Sequence, residues 1–255
     1  MTLNELIEPL PRAALTGSGS VEPVGLGDDS RNVGPGDAFV AVRGVDTDGH
    51  EFIGKALEAG VCAVVAEDPM PADLPGGVSW VLVPDSREAL AILSSVWCGN
   101  PSDDLRVAGV TGTNGKTTTA FLLHHILRRT LHRAGLIGTV MVDDGERQDS
   151  AALTTPGALE LQGLLGRMRD NGCQGVVMEV SSIGLEQERT RAVAFDVGIF
   201  TNLTQDHLDY HGTMERYFGA KRLLFEQLAS RPGSKSPTAV INHDDHYGEI
   251  IVRDF

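Results

Sequence analysis

Positive charge is what this chain has least of. Against 35 Asp and Glu residues it sets 21 Lys and Arg, and 21 − 35 leaves a formal charge of −14. A nucleic-acid partner would require a basic face, so that class is disfavoured. The acid excess is accounted for by solubility alone. Cysteine is scarce as well. Cys62, Cys98 and Cys173 are scattered and form no C-x-x-C pair, which argues against structural zinc and for a reducing compartment. No stretch is long and apolar enough to span a bilayer, and "MTLNELIEPLPRAAL" (1–15) has no cationic segment followed by a long apolar run. The expectation is a cytoplasmic protein with neither a nucleic-acid nor a membrane partner. The 255 residues, 41% hydrophobic, suffice for one large or two ordinary domains with packed cores.

What is present concentrates at "VTGTNGKTTTA" (110–120). Glycine tolerates positive φ and close approach of other groups, so successive backbone N–H groups can face one concavity and hold an anion. Lys116 adds a point charge, and Thr117 places a hydroxyl where a phosphate-bound metal would lie. The apolar run "LRVAGV" (105–110) before it reads as a buried strand. After it, Ala120, Leu123, Ile126, Leu127 and Leu131 keep helical spacing. Strand, glycine loop and helix form the arrangement that receives phosphate at a helix N-terminus. The match to the P-loop pattern is imperfect, because Val110 stands six before Lys116 and the glycines fall at 109 and 112. An ordinary glycine turn is the alternative, and G-K-T between those flanks disfavours it.

Two domains are expected. In residues 1–103, "DAFVAV" (37–42), "VCAVVAE" (61–67) and "SWVLVP" (79–84) are strand-like. "HEFIGKALEAG" (50–60) and "REALAILSSVWCG" (87–99) are helix-like and end on Gly60 and Gly99. A boundary fits "NPSDD" (100–104). In residues 104–255 strands and helices alternate, with "GVVMEV" (175–180) and "FDVGIF" (195–200) as further buried strands, which argues an α/β fold with a mostly parallel sheet.

Ligands of open α/β sheets sit at the carboxyl ends of strands. Glu179, near the end of "GVVMEV", is placed to hold a magnesium ion, and position alone leaves a solvated or ion-paired glutamate equally open. "TNLTQDHLDYHG" (201–212) brings Asp206, His207, Asp209 and His211 into one loop; such composition serves turns more often than metals. Lys221 lies on the amphipathic segment "MERYFGAKRLLFEQL" (214–228), where a lone lysine is ordinarily solvated.

Six segments together resemble the Mur ligases of peptidoglycan synthesis, in their MurE type. They are "DDSRNVGPGDAFVAVRGVDTDGHEFI" (28–53), "GVTGTNGKTTTAFLL" (109–123), "LTTPGALEL" (153–161), "MEVSSIGLEQERT" (178–190), "FTNLTQDHLDYHGTMERYFGAKRLLF" (200–225) and "AVINHDD" (239–245). The combination is more specific than the glycine loop alone. The MurF type lacks the E-V-S-S stretch, and folylpolyglutamate synthetases lack the D-S-R opening. A guanine-binding P-loop protein would carry N-K-x-D, which is absent.

The resemblance implies an N-terminal UDP-sugar-binding α/β domain followed by a P-loop ATP-binding domain, present in part. It implies an ATP-dependent ligase acting through an acyl phosphate: a substrate carboxylate attacks the γ-phosphate of ATP, and an amine then displaces phosphate to form an amide. The implied substrates are a UDP-muramoyl dipeptide, ATP and a diamino acid, with magnesium as cofactor. Meso-diaminopimelate and L-lysine are both open. Gly112, Thr113, Asn114, Gly115, Lys116, Thr117 and Thr118 would serve ATP, with Asn242 and Asp245 on the nucleotide side. Thr117, Glu179 and His207 resemble metal-side residues, and Lys221 matches the lysine that the family carbamylates. Lys116, Glu179, His207 and Lys221 make up the implied catalytic set. Ser30 resembles the uridine-side contact, and Thr154, Thr155, Ser181, Gln187 and Arg189 resemble the muramoyl-peptide contacts. One departure is Ile183, where the family commonly has histidine. A second is length: Mur ligases continue into a C-terminal domain, for which a separate chain is one source. The chain alone is expected to bind substrate without forming the amide. A binding protein that keeps the UDP-sugar pocket without catalysis is the alternative.

Overall fold

A computed structural model describes residues 1–45, 47–230 and 237–255. The chain divides into two units, Met1–Gly99 and Asn100–Phe255.

The first unit opens with α1 (Leu3–Ile7), whose first turn is closed by a capping box between Thr2 and Glu5. Strands β1 (Ala14–Thr16), β2 (Leu26–Gly27), β3 (Ala38–Val40), β4 (Ala63–Ala66) and β5 (Ser79–Leu82) form one sheet in the order β1-β5-β4-β3-β2. Only β1 runs antiparallel to its neighbour. Side chains alternate across the sheet. Phe39, Val64 and Trp80 therefore share one face, packing with Ala56 of α2 (Ile53–Glu58). Val40, Val65 and Val81 are as fully buried on the opposite face. Both faces being covered, the strands read as unbroken apolar runs, as parallel strands do. A 3-10 turn at Gly49–Phe52 leads into α2, so the segment expected as one helix is two. Helix α3 (Ser86–Trp97) starts where Asp85 accepts hydrogen bonds from the Arg87 and Glu88 amides.

The second unit begins with α4 (Pro101–Asp104) and holds β6 (Arg106–Thr111), α5 (Lys116–Thr130), β7 (Ala134–Ile137), β8 (Met141–Asp143), β9 (Gln148–Ser150) and α6 (Ala158–Asp170). It continues with β10 (Gly175–Glu179), α7 (Ser182–Glu186), β11 (Phe195–Phe200), α8 (Leu208–His211), α9 (Met214–Ala229), β12 (Thr238–Ile241) and α10 (His246–Asp254). The sheet order is β12-β11-β6-β10-β7-β8-β9. The pairings from β12 to β7 are parallel, and β7, β8 and β9 form an antiparallel meander. Val176 and Met178 enter one core layer with Leu165, Phe195 and Leu224, while Val177 enters another with Val110, Ala120 and Leu136. Helices thus cover both faces of β10.

Topology positions the site. The chain leaves β6 through α5 to β7 on one side, and β11 lies on the other side of β6. Connections diverge at the carboxyl ends of β6 and β10, which opens a crevice there. Among the described residues, no helix is long and apolar enough to cross a membrane.

Candidate functional site

The glycine loop joins β6 to α5. Gly112 has φ +143° and Gly115, the residue before α5, has φ +84°, both in the region that favours glycine. A side chain on Gly112 would also collide with Thr201 Oγ1 and the Asn202 backbone. The loop is braced from the β11 side. Thr113 N donates to Asn202 O (2.8 Å), Asn114 N donates to Asn202 Oδ1 (3.0 Å), and Thr201 Oγ1 donates to Asn114 O (2.7 Å).

Lys116 folds back on this loop, its Nζ donating to Gly112 O (2.9 Å) and Thr113 O (2.8 Å). Lys221 Nζ donates to the same Gly112 carbonyl at 2.9 Å. Lys221 is not solvated as a lone helix lysine ordinarily is: it is 1% exposed, with its ammonium 4.5 Å from the centre of the Tyr217 ring. Burial, and then the charge of Lys116, push the Lys221 amine down to about 7, against the pull of Asp206. Burial also lowers Lys116, with Glu179 and Asp206 opposing.

Glu179 ends β10 and is fully buried. Its carboxylate accepts from Thr117 Oγ1 (2.8 Å), Thr139 N (2.9 Å) and Thr139 Oγ1 (3.2 Å). It is therefore not a solvated glutamate, and its partner Thr117 is a metal-side candidate. Thr139 was not foreseen. It lies just beyond the carboxyl end of β7, and its hydroxyl is 3.0 Å from Thr154 Oγ1. Its only signal was "GLIGT" (135–139), a strand end beside β10, the strand that ends on Glu179.

A cavity of about 510 Å³ collects Thr113 to Thr118, Thr154, Thr155, Glu179, Ser181, Arg189, His207 and Lys221. Ile183 joins its wall, so the apolar departure faces the same space. Thr155 Oγ1 accepts from Ser181 N (3.0 Å) and donates to Glu179 O (3.0 Å), tying the two segments together. Arg189 donates through Nη1 to Thr155 O (2.8 Å) and through Nε and Nη2 to Gln187 Oε1 (3.1 and 2.6 Å). Gln187 stands behind Arg189 rather than in the wall, and its Nε2 donates to Tyr210 OH (3.2 Å).

The four Asp and His residues of 201–212 do not act as one loop. Leu208–His211 forms a helical turn; His207, with φ +51°, precedes it half-exposed, whereas His211 is buried. Among the described residues, no three His, Cys, Asp or Glu side chains cluster as a metal site. Asn242 and Asp245 lie outside the cavity. Asn242 Nδ2 donates to Thr201 O (2.7 Å), while Asp245 caps α10 and accepts from Leu203 N (3.0 Å).

Ser30 belongs to a separate cavity of about 500 Å³ in the first unit, with Asp28, Asp29, Arg31, Phe52 and Lys55 in its lining. Partial desolvation in the cavity wall raises the Asp28 carboxyl, although the residue stays exposed. Arg31 holds Asp29 down at about 2; the Arg31 side chain is open to solvent and Asp29 is half-buried.

A glycine loop, a lysine at the start of the following helix and a buried carboxylate on the adjacent parallel strand define a P-loop α/β protein. Residues 110–255 match the Mur ligase middle domain, and residues 23–97 match the Mur ligase family catalytic domain. The chain belongs to the Mur ligase family. It is 47% identical over 246 residues to the UDP-N-acetylmuramoyl-L-alanyl-D-glutamate--2,6-diaminopimelate ligase of Geobacillus thermodenitrificans (strain NG80-2), covering 96% of this chain and 50% of that protein. A solved structure of a ligase with that name superposes with a TM-score of 0.78 at 26% identity, over 99% of this chain and 49% of the other. The crystal structure of MurF ligase from Thermotoga maritima in complex with ADP gives 0.51 at 28% identity, over 79% and 43%. The chain spans about half the length of the curated relatives it matches.

Proposed function

We propose that this chain provides the substrate-binding and nucleotide-binding parts of an ATP-dependent carboxylate–amine ligase of peptidoglycan precursor synthesis. The reaction joins 2,6-diaminopimelate to UDP-N-acetylmuramoyl-L-alanyl-D-glutamate in the cytoplasm, where ATP is at hand. The observation that carries this reading is the convergence of Lys116, Lys221, Thr117 and Glu179 on one cavity, in a chain 47% identical to a ligase of that name. The ADP complex of a structural neighbour supports a nucleotide at the loop.

The loop amides and Lys116 receive the ATP phosphates, and positive charge there lets two anions, carboxylate and triphosphate, meet. The carboxylate oxygen attacks the γ-phosphorus as the bond to the β-phosphate oxygen breaks. The incoming amine then attacks the acyl carbon, phosphate leaves and the amine loses a proton. Magnesium suits the oxygen donors Thr117 Oγ1 and Glu179 Oε2, which stand 2.8 Å apart. His207, in the cavity wall, would complete the metal side. When bound, the ion neutralises charge that develops on the transferred phosphoryl group. Lys221, with its amine brought to about 7, is largely able to react as a neutral nucleophile with carbon dioxide. That addition forms an N–C bond, releases a proton and leaves a carbamate for the metal side. Thr154, Thr155, Ser181 and Arg189 hold the peptide end, Gln187 serving it by holding the Arg189 guanidinium from behind. Ser30 serves the uridine end; Asn242 and Asp245 serve the nucleotide side by bracing Thr201 and Leu203.

Calorimetric titration of the purified chain with Mg-ATP and with the UDP-muramoyl dipeptide tests the reading. Both are expected to bind. Failure of both in a folded sample would overturn it, and binding of the dipeptide alone would favour a binding protein without catalysis.

A further inference from the structure

One buried imidazole beside the cavity has no part in the chemistry above. His211 ends α8 and is 2% exposed. Its Nε2 lies 2.9 Å from Ser182 Oγ, and its Nδ1 lies 3.0 Å from Glu186 Oε2, off the line of a well-aligned hydrogen bond. Both partners belong to α7. The ring is tilted by 32° against that of Tyr217, with centroids 5.1 Å apart. Tyr217 is itself fully buried; its hydroxyl lies 3.1 Å from Thr113 Oγ1 in the glycine loop, and its ring faces the Lys221 ammonium.

The two sides of this imidazole therefore lead to different ligands. Through Ser182 and Glu186 it fixes α7, a helix of only five residues whose ends carry Ser181 and Gln187. Through Tyr217 it touches the glycine loop and the second lysine. A neutral imidazole suits such a joint, because Nε2 can accept from the Ser182 hydroxyl while Nδ1–H faces the Glu186 carboxylate as an electrostatic contact. So short a helix has little stability of its own and takes its position from packing.

We infer that His211 is a positioning residue that couples the peptide side of the cavity to its phosphate side. The inference rests on the function proposed above and deepens it. A peptide substrate held by Ser181 and Arg189 sets the position of α7. Through His211 that position is passed to the Tyr217 ring, and so to Thr113 and Lys221, which sets the geometry that the nucleotide meets. A second link runs through Glu179 and Thr155. Loss of the imidazole therefore lowers the coupling without abolishing it.

The test measures the affinity of this chain for a magnesium-bound, non-hydrolysable ATP analogue, with and without saturating UDP-muramoyl dipeptide. The ratio of the two affinities is the coupling, which for linked sites is typically about 5- to 150-fold. The unmodified chain is expected to bind the analogue more tightly when the dipeptide is present. His211→Phe, which keeps a ring against Tyr217 but loses both polar contacts, should lower the ratio about 5-fold. His211→Gln, which can still reach Ser182, should restore part of it. Glu186→Gln alters a side chain that is 42% exposed, so it leaves the fold intact and should lower the ratio less. A purely structural role would weaken both affinities or the melting temperature and leave the ratio unchanged. A ratio of one in the unmodified chain, or a ratio that none of the three variants alters, would overturn the inference. If neither ligand binds the unmodified chain, the proposed function itself falls; if both bind and the ratio is constant, only the coupling does.

Discussion

Two cavities of nearly equal volume, about 510 and 500 Å³, are built on opposite electrostatic terms. In the second unit the charged groups are buried and braced before any ligand arrives: Glu179 by Thr117 and Thr139, Lys221 by Gly112 and Tyr217. In the first unit the charges are at the surface, and the Arg31 side chain of the Arg31–Asp29 pair is 85% exposed. Exposed pairs of that kind contribute about 0–1 kcal/mol. Fixed buried dipoles suit a site where charge is redistributed during reaction, because they need no rearrangement at that moment. A site that only holds a substrate has no such need.

The sharpest way to break the contrast is Glu179→Ala. It strips a counter-charge from Lys116 and orphans the Thr117 and Thr139 donors, so we expect a loss of about 1–3 kcal/mol in urea-induced unfolding of the second unit. A cost below about 1 kcal/mol would mean that the carboxylate is not a keystone of the cavity.

Lys221→Met tests the other buried charge through pH, in metal-free buffer depleted of carbon dioxide. The folded amine sits at about 7, below its ordinary value of 10.5. Between those values the unfolded chain holds a proton that the folded chain lacks, so stability rises with pH across that window. Below it both states are protonated and the full penalty of the buried charge applies. The unmodified chain should therefore gain on the Met variant as pH climbs from 7 towards 10, and equal slopes for the two would refute the buried-cation reading.

Lys116→Ala should weaken Mg-ATP binding by about 10- to 100-fold, the equivalent of about 1.5–3 kcal/mol for a charge-assisted contact. Unchanged affinity by calorimetry would sink the assignment of the loop to phosphates. The smallest effect is expected in the first unit, where Asp29→Ala should alter stability by no more than about 0.5 kcal/mol. A larger cost would erase the distinction between the cavities.

Much of the second unit was legible in the sequence because it is local. "FDVGIF" is strand β11 residue for residue, and the glycine loop lies between β6 and α5 as its flanks implied. The β8–β9 hairpin was not seen, since Gln148, Asp149 and Ser150 are all exposed and offer no alternating pattern. The burial of Lys221 was equally invisible. A helix face tells which residues align, and the glycine loop that covers this one lies more than a hundred residues earlier in the chain. His207 and His211, alike in composition, diverge because a helical turn begins between them. The residues that resemble a family motif could be named from sequence, whereas Thr139, Tyr217 and His211 took their places only from the fold.

The way Lys116 rests has one more consequence. Its ammonium is already engaged by two loop carbonyls, at 2.9 and 2.8 Å. If the loop takes phosphate as proposed, an arriving phosphate would have to win the cation from oxygen atoms that already hold it, so the exchange would yield the difference between two hydrogen-bonded states rather than the whole of one. The same resting place would take the cation back when a nucleotide departs. A loop that doubles as its own placeholder would load and unload with a small free-energy swing, which favours release over tight retention.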